Sequence, residues 1–108
     1  MSLSIGIDSG STATKGILFD SRDGGRIVRR FLVPTPFRPL AAIEQGWAEL
    51  SADLPERPHL TLTGYGRDLA SFADRRVTEI SCHGLGARLL CPSVHTVIDI
   101  GGQDSKVI

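Results

Sequence analysis

Asp8 and Lys15 bracket the stretch richest in chemical possibility, Ile5-Gly6-Ile7-Asp8-Ser9-Gly10-Ser11-Thr12-Ala13-Thr14-Lys15-Gly16-Ile17-Leu18-Phe19-Asp20. Two apolar runs flank a segment of Gly, Ser and Thr, the pattern of a β-hairpin with a small polar turn. Small side chains let an anion approach several backbone N–H groups at once. A carboxylate on one side of the turn suits a hydrated Mg²⁺, and an ammonium on the other suits phosphate oxygens. The spacing is not that of a Walker A loop, in which Gly-Lys-Ser/Thr leads into a helix. Here Lys15 is followed by Gly16 and a second apolar strand.

The far end of the chain repeats this grammar. In Val97-Ile98-Asp99-Ile100-Gly101-Gly102-Gln103-Asp104-Ser105-Lys106-Val107-Ile108, Asp99, Gly101 and Lys106 stand at the same intervals as Asp8, Gly10 and Lys15. Ile7 and Ile17 correspond to Ile98 and Ile108, and a hydroxyl residue, Thr14 or Ser105, precedes each lysine. A repeated motif implies a repeated strand–turn–strand unit. Two such hairpins facing each other across a cleft would grip a nucleotide's phosphates and metal from both sides. A plain Gly/Ser turn is the bland alternative for the first loop, and the repeat argues against it.

The intervening elements have to hold the two hairpins in place. Leu3 to Ile7 and Gly16 to Asp20 read as strands, Ser21-Arg22-Asp23-Gly24-Gly25 as a tight turn, and Arg26 to Pro34 as a third strand. Pro39 suits the first turn of a helix, with Ile43, Trp47, Leu50 and Leu54 as its apolar stripe and Pro55 and Pro58 ending it. Trp47 on that stripe reads as core packing, and Gly46 costs the helix about 1 kcal/mol unless a neighbour packs close. His59 to Thr63 reads as a fourth strand running into Gly64-Tyr65-Gly66-Arg67, where Arg67 either reaches the cleft or pairs with an acid. Asp68 to Asp74 reads as a short helix. Thr78 would cap a longer one from Glu79 to about Leu90, with Gly84 and Gly86 on a face that approaches another backbone. Val94 to Ile100 is nearly continuous in apolar residues, the pattern of a strand covered on both faces. The order β-β-β-α-β-α, with flanking helices, gives a mixed α/β sheet.

Composition narrows the functions. The chain has 108 residues, enough for one modest core. Its 12 basic residues are matched by 12 acidic ones, so the basic footprint of a nucleic-acid binder is missing. Arg26, Arg29 and Arg30, like Arg75 and Arg76, read as solvated faces. No apolar run is long enough for a membrane span and no signal-peptide pattern opens the chain, which gives a cytoplasmic expectation. Cys82 and Cys91 then read as reduced thiols. Cys82 is expected to be a small buried hydrophobe and His83 a packing histidine, not metal ligands. Because the chain stops within what reads as the second strand of the second hairpin, it is expected to be the N-terminal piece of a longer protein.

Twin phosphate hairpins on such a sheet resemble the actin–Hsp70–sugar kinase superfamily, whose RNase H-like halves clasp ATP and Mg²⁺. Four words in order, Gly6-Ile7-Asp8-Ser9-Gly10-Ser11-Thr12-Ala13-Thr14-Lys15, Thr63-Gly64-Tyr65-Gly66-Arg67, Glu79-Ile80-Ser81-Cys82-His83-Gly84 and Val97 to Lys106, are similar to the BadF/BadG/BcrA/BcrD ATPase family. Within it they look most like the activators of 2-hydroxyacyl-CoA dehydratases.

That resemblance implies residues 1–94 as an N-terminal RNase H-like subdomain and 95–108 as the first strand and phosphate loop of a truncated second half. It implies ATP and Mg²⁺ as cofactors and, in the full-length protein, a homodimer sharing one [4Fe–4S] cluster. ATP hydrolysis there lets the cluster pass one low-potential electron to a dehydratase-type partner. Gly10, Ser11, Thr12 and Lys15 would form the first phosphate loop, and Gly101, Gly102 and Gln103 the second. Asp8 and Asp99 would hold Mg²⁺ through waters, and Gln103 or Asp104 would orient the attacking water. The family's cluster cysteines follow the second loop, so no iron–sulfur ligand is expected among these residues, and the fragment alone should turn over little ATP. A small-molecule kinase of the same superfamily, acting on a sugar or amino sugar, and a non-catalytic interaction module are the alternatives.

Overall fold

Gly, Ser and Thr at 10–12 leave the chain nothing to bury and room to turn, so the first two strands close a tight hairpin. In the computed structural model, which describes residues 2–100 and 105–108, β1 (Leu3–Ser9) and β2 (Ala13–Asp20) are antiparallel and leave a loop of only Gly10, Ser11 and Thr12. The second strand therefore begins three residues earlier than the apolar pattern alone indicates, because Ala13, Thr14 and Lys15 extend the ladder. A turn at Arg22–Gly24, followed by Gly25 at φ 89°, leads to β3 (Arg26–Pro34). β3 pairs antiparallel with β2 through a bulge between Leu18 and Phe19. After the crossover helix α1 (Pro39–Ser51), with Pro39 in its first turn, β4 (His59–Gly64) returns parallel to β1.

The resulting sheet has the order β3-β2-β1-β4-β5, where β5 is Arg75–Arg76, parallel to β4. Ile5 and Ile7 of β1, Leu18 of β2, Phe31 of β3, and Leu60 and Leu62 of β4 are buried with Ile43 and Leu50 of α1. Alternation along the strands puts these residues on one face and α1 covers them. Gly46 of α1 is explained by a close approach: a methyl group there would sit 2.9 Å from Cε2 of the Phe31 ring. Trp47 packs on Phe72, ring centroids 5.9 Å apart, with the Arg57 guanidinium 4.9 Å over the indole. Core packing is thus the role Trp47 has.

Asp68 to Asp74 is not a helix but a series of turns. The carbonyls a helix would use internally are taken by distant arginines. Arg76 donates to Arg67 O at 3.0 Å and Ala70 O at 2.6 Å, and Arg57 donates to Phe72 O at 2.7 Å. Asp74 itself accepts from the Arg57 guanidinium and from the Leu60 amide, both at 2.7 Å, and these bonds lower its pKa. Opposite Leu3, at the start of β1, Asp20 accepts a guanidinium fork from Arg22, which holds its carboxyl far below the usual carboxylate range.

On the opposite face of the sheet, α2 (Glu79–Leu90) begins at Thr78, whose Oγ1 accepts from the Ser81 amide at 3.4 Å. Arg67 pairs with Glu79 at 2.8 Å, which resolves its two expected roles in favour of the acid. None of the residues of α2 is buried, and Cys82 is half-exposed, not the buried hydrophobe expected. A methyl group at Gly84 would lie 3.3 Å from Cγ2 of Ile108, whereas Gly86 has nothing within 4 Å. β6 (Ile98–Ile100) and β7 (Ser105–Val107) form a separate two-stranded sheet. Ile98 and Ile100 are 70% and 78% exposed, so the strand expected to be covered on both faces is shorter and open. Its apolar sequence is suited to cover that the described residues do not supply.

Candidate functional site

β1 and β2 place Asp8 opposite Lys15 in the ladder, and both side chains emerge on the face away from α1. The Lys15 ammonium lies 3.3 Å from Asp8 Oδ2 and 3.2 Å from the Ala13 carbonyl. It bridges the carboxylate and the loop and remains half-exposed at the cleft. Gly10 is required by this geometry, since a methyl group there would meet Ala13 O at 2.7 Å and Lys15 Nζ at 2.8 Å.

The loop is braced from β3's far end. Thr35 donates its hydroxyl to Gly10 O at 2.6 Å, and its amide donates to Thr12 O at 3.0 Å. The buried Thr14 hydroxyl sits 3.0 Å from Thr35 Oγ1. Gly10 N donates to Ala13 O across the turn, and no backbone carbonyl among the described residues accepts from the amides of exposed Ser11 and Thr12. A rigid turn with outward-facing donors is what an anion requires. Thr35 was absent from the sequence reading. Its place immediately after β3, between Pro34 and Pro36, was the only signal.

β4 supplies the other wall. Gly64 has φ 90°, and a side chain there would lie 2.4 Å from Ser9 O and 2.6 Å from Asp8 Oδ1. Gly66 N donates to Ser9 O at 3.2 Å and pins the Gly64–Arg67 loop against the end of β1. Two clefts result. One of about 480 Å³ is lined by Ser9, Gly10, Ser11, Thr35, Phe37 and Tyr65 among others. The second, about 280 Å³, lies between the sheet and α2 and contains Asp8, Lys15, Thr61, Thr63 and Cys82. Ser9 Oγ and Thr63 Oγ1 are buried without a hydrogen-bond partner. Buried hydroxyls are rarely left so, and each marks a place where water or a ligand oxygen completes the set.

The donors near Asp8 fit a hydrated Mg²⁺. Asp8 Oδ2 is engaged by Lys15, its ladder neighbour Thr63 carries an orphaned hydroxyl, and the set offers oxygens suited to a hard cation. Such an ion keeps several waters and needs only one or two carboxylates beside phosphate oxygens.

The second hairpin copies the first in register as well as in sequence. Asp99 pairs with Lys106 in the β6–β7 ladder as Asp8 pairs with Lys15, and Ile98 and Ile100 pair with Val107 and Ser105 as Ile7 and Ser9 pair with Gly16 and Thr14. Gly101, Gly102, Gln103 and Asp104 lie outside the described residues. His83 is not a simple packing residue, because its Nδ1 lies 2.6 Å from Asp99 Oδ2. Cys91 is exposed at the end of α2. Among the described residues no three His, Cys, Asp or Glu side chains cluster as a metal cage, and no helix is long and apolar enough to cross a membrane.

The chain is similar to known proteins. The model of the BadF/BadG/BcrA/BcrD ATPase family matches residues 5–108. Protein YjiL of Escherichia coli is 68% identical over 108 residues, which is all of this chain and 41% of that protein. The (R)-2-hydroxyglutaryl-CoA dehydratase activating ATPase of Acidaminococcus fermentans is 44% identical over 96% of this chain and 41% of its own length. The crystal structure of component A of (R)-2-hydroxyglutaryl-CoA dehydratase from the same organism superposes with a TM-score of 0.80 at 42% identity, covering 100% of this chain and 42% of that one. The activator of 2-hydroxyisocaproyl-CoA dehydratase from Clostridium difficile, solved with bound ADPNP, gives 0.76 at 36% identity, covering 97% of this chain and 40% of its own. The chain therefore spans about two fifths of the length of these relatives. The expected architecture stands: a mixed sheet with flanking helices, one RNase H-like half.

Proposed function

Because this chain belongs to the BadF/BadG/BcrA/BcrD ATPase family, we propose that it is the ATP-binding part of an ATP-dependent activator of a 2-hydroxyacyl-CoA dehydratase-type enzyme. The observation that carries the reading is the Asp8–Lys15 hairpin and its in-register copy at Asp99–Lys106. Gly10, Ser11 and Thr12 offer backbone donors to the phosphates, and the Lys15 ammonium moves from Asp8 and Ala13 O toward a phosphate oxygen. Asp8 and Asp99 would hold a hydrated Mg²⁺ through its waters, and the ion would supply charge neutralisation to the phosphates. Gly101, Gly102 and Gln103 form the second loop, and Gln103 or Asp104 orients water. Residues 1–94 are then one subdomain and 95–108 open the second.

In the full-length protein a [4Fe–4S] cluster shared by a homodimer would supply the low-potential electron for the partner enzyme. The cluster's ligands lie beyond these residues; neither Cys82, facing Asp8 across the smaller cleft, nor Cys91 is one of them. The test is to purify the full-length protein without oxygen and measure iron, visible absorbance and ATPase rate. About four irons per dimer with ATP hydrolysis supports the activator. A colourless protein that binds ATP and phosphorylates a sugar overturns it in favour of the kinase.

A further inference from the structure

α2 lines the first hairpin's cleft and contacts the second hairpin. At its N-terminus it is tied to the end of β4 by Arg67–Glu79. Its Cys82 lines the cleft that holds Asp8 and Lys15. The next residue, a third of a turn further round, is His83, and its imidazole reaches Asp99 at 2.6 Å. Gly84 brings the helix backbone against Ile108, whose amide and carbonyl pair with those of Val97 at the base of the second hairpin. Three consecutive residues of one helix thus face, in turn, the first carboxylate's cleft, the second carboxylate and the second hairpin's last residue.

We propose that His83 is a positioning residue for Asp99, and that through it α2 sets the separation of the two carboxylates that hold the hydrated metal. The proposal rests on the nucleotide–metal reading above. Asp99 is one-fifth exposed and sits on a three-residue strand whose neighbours Ile98 and Ile100 are open to solvent. A short bond from Nδ1–H to Oδ2 fixes the Asp99 rotamer and leaves the other carboxylate oxygen to accept from metal-bound water. Asp8 is held by Lys15 in its own hairpin. The repeat keeps the carboxylate and adds to it a tether to α2.

The test uses the full-length protein with a non-hydrolysable ATP analogue and Mn²⁺ in place of Mg²⁺, the free Mn²⁺ being read by electron paramagnetic resonance. Loss of an outer partner of a ligand typically weakens metal binding about 10–100-fold. His83→Ala should weaken Mn²⁺ uptake by about tenfold or more. His83→Asn, whose amide nitrogen stands near the position of Nδ1, should restore most of it. Unchanged Mn²⁺ affinity in the alanine variant overturns the proposal, and so does equal weakening in both variants. If the wild-type protein takes up no Mn²⁺ beyond that bound by the nucleotide itself, the nucleotide–metal reading fails and the role of His83 with it.

Discussion

Gly64 is the position at the site where a methyl group would meet both a left-handed φ and a backbone clash. Its φ of 90° is unfavourable for any L side chain, and holding one there costs about 1–3 kcal/mol. The added carbon would lie 2.4 Å from Ser9 O and 2.6 Å from Asp8 Oδ1. The first of these is backbone in the central strand and cannot swing aside, so β1 and β4 must part locally. Overpacking of this kind adds about 1–3 kcal/mol. Gly64→Ala should therefore destabilise the protein by about 2–6 kcal/mol, a large share of the roughly 5–15 kcal/mol typical of a domain. Gly6, on the same sheet, is the control. A methyl group there meets nothing within 4 Å, so Gly6→Ala should be neutral or stabilising by up to about 1 kcal/mol. Urea unfolding of the full-length protein followed by Trp47 fluorescence reads both. A Gly64→Ala variant within about 0.5 kcal/mol of wild type would refute the steric argument.

Replacing Lys15 with Met removes the ammonium assigned to phosphate, and a charge-assisted bond of about 1.5–3 kcal/mol corresponds to a nucleotide affinity lower by about tenfold or more. Titration with a fluorescent ATP analogue checks this, and unchanged affinity sinks the assignment. Asp74 has a lowered pKa because the Arg57 guanidinium and the Leu60 amide bond its charged form. Its contribution is complete above the unfolded carboxylate value near 3.8 and is lost as pH falls through the lower folded value. The stability gap between wild type and Asp74→Asn should therefore be widest near neutral pH and close in acid, as melting temperatures across pH would show. Thr78→Ala removes a cap whose bond is long, so the loss should be at the low end, about 0.5 kcal/mol. It should appear first as faster amide exchange in the first turn of α2.

The sequence was most readable where a local rule and the tertiary structure agree. The hairpin at Gly10–Thr12, Pro39 in the first turn of α1 and Thr78 before α2 each owe their form to near neighbours in the chain. Asp68–Asp74 misled because its fate was decided elsewhere: Arg57 and Arg76 take the carbonyls a helix would have used, and no local pattern encodes that. The open strand at Ile98–Ile100 misled in the opposite sense, since its composition is that of a covered strand and the described residues do not cover it. At the site, Asp8 and Lys15 were legible from type and spacing. The Thr35 brace, the orphaned hydroxyls of Ser9 and Thr63, and the His83–Asp99 bond depend on which strand lies beside which.

β1 sits in the middle of the sheet, with β2 on one side and β4 on the other. As the chain leaves the ribosome, β2 and β3 are made directly after β1, but the strand that closes its other edge begins only at His59. Until then the nascent meander carries a free ladder of N–H and C=O groups along Ser4–Ser9, a template for any extended segment nearby. The element that carries Asp8 is thus made before both of its neighbours and gains the second of them only after the α1 crossover. The time taken to translate the α1 crossover sets how long it stays open to a wrong partner.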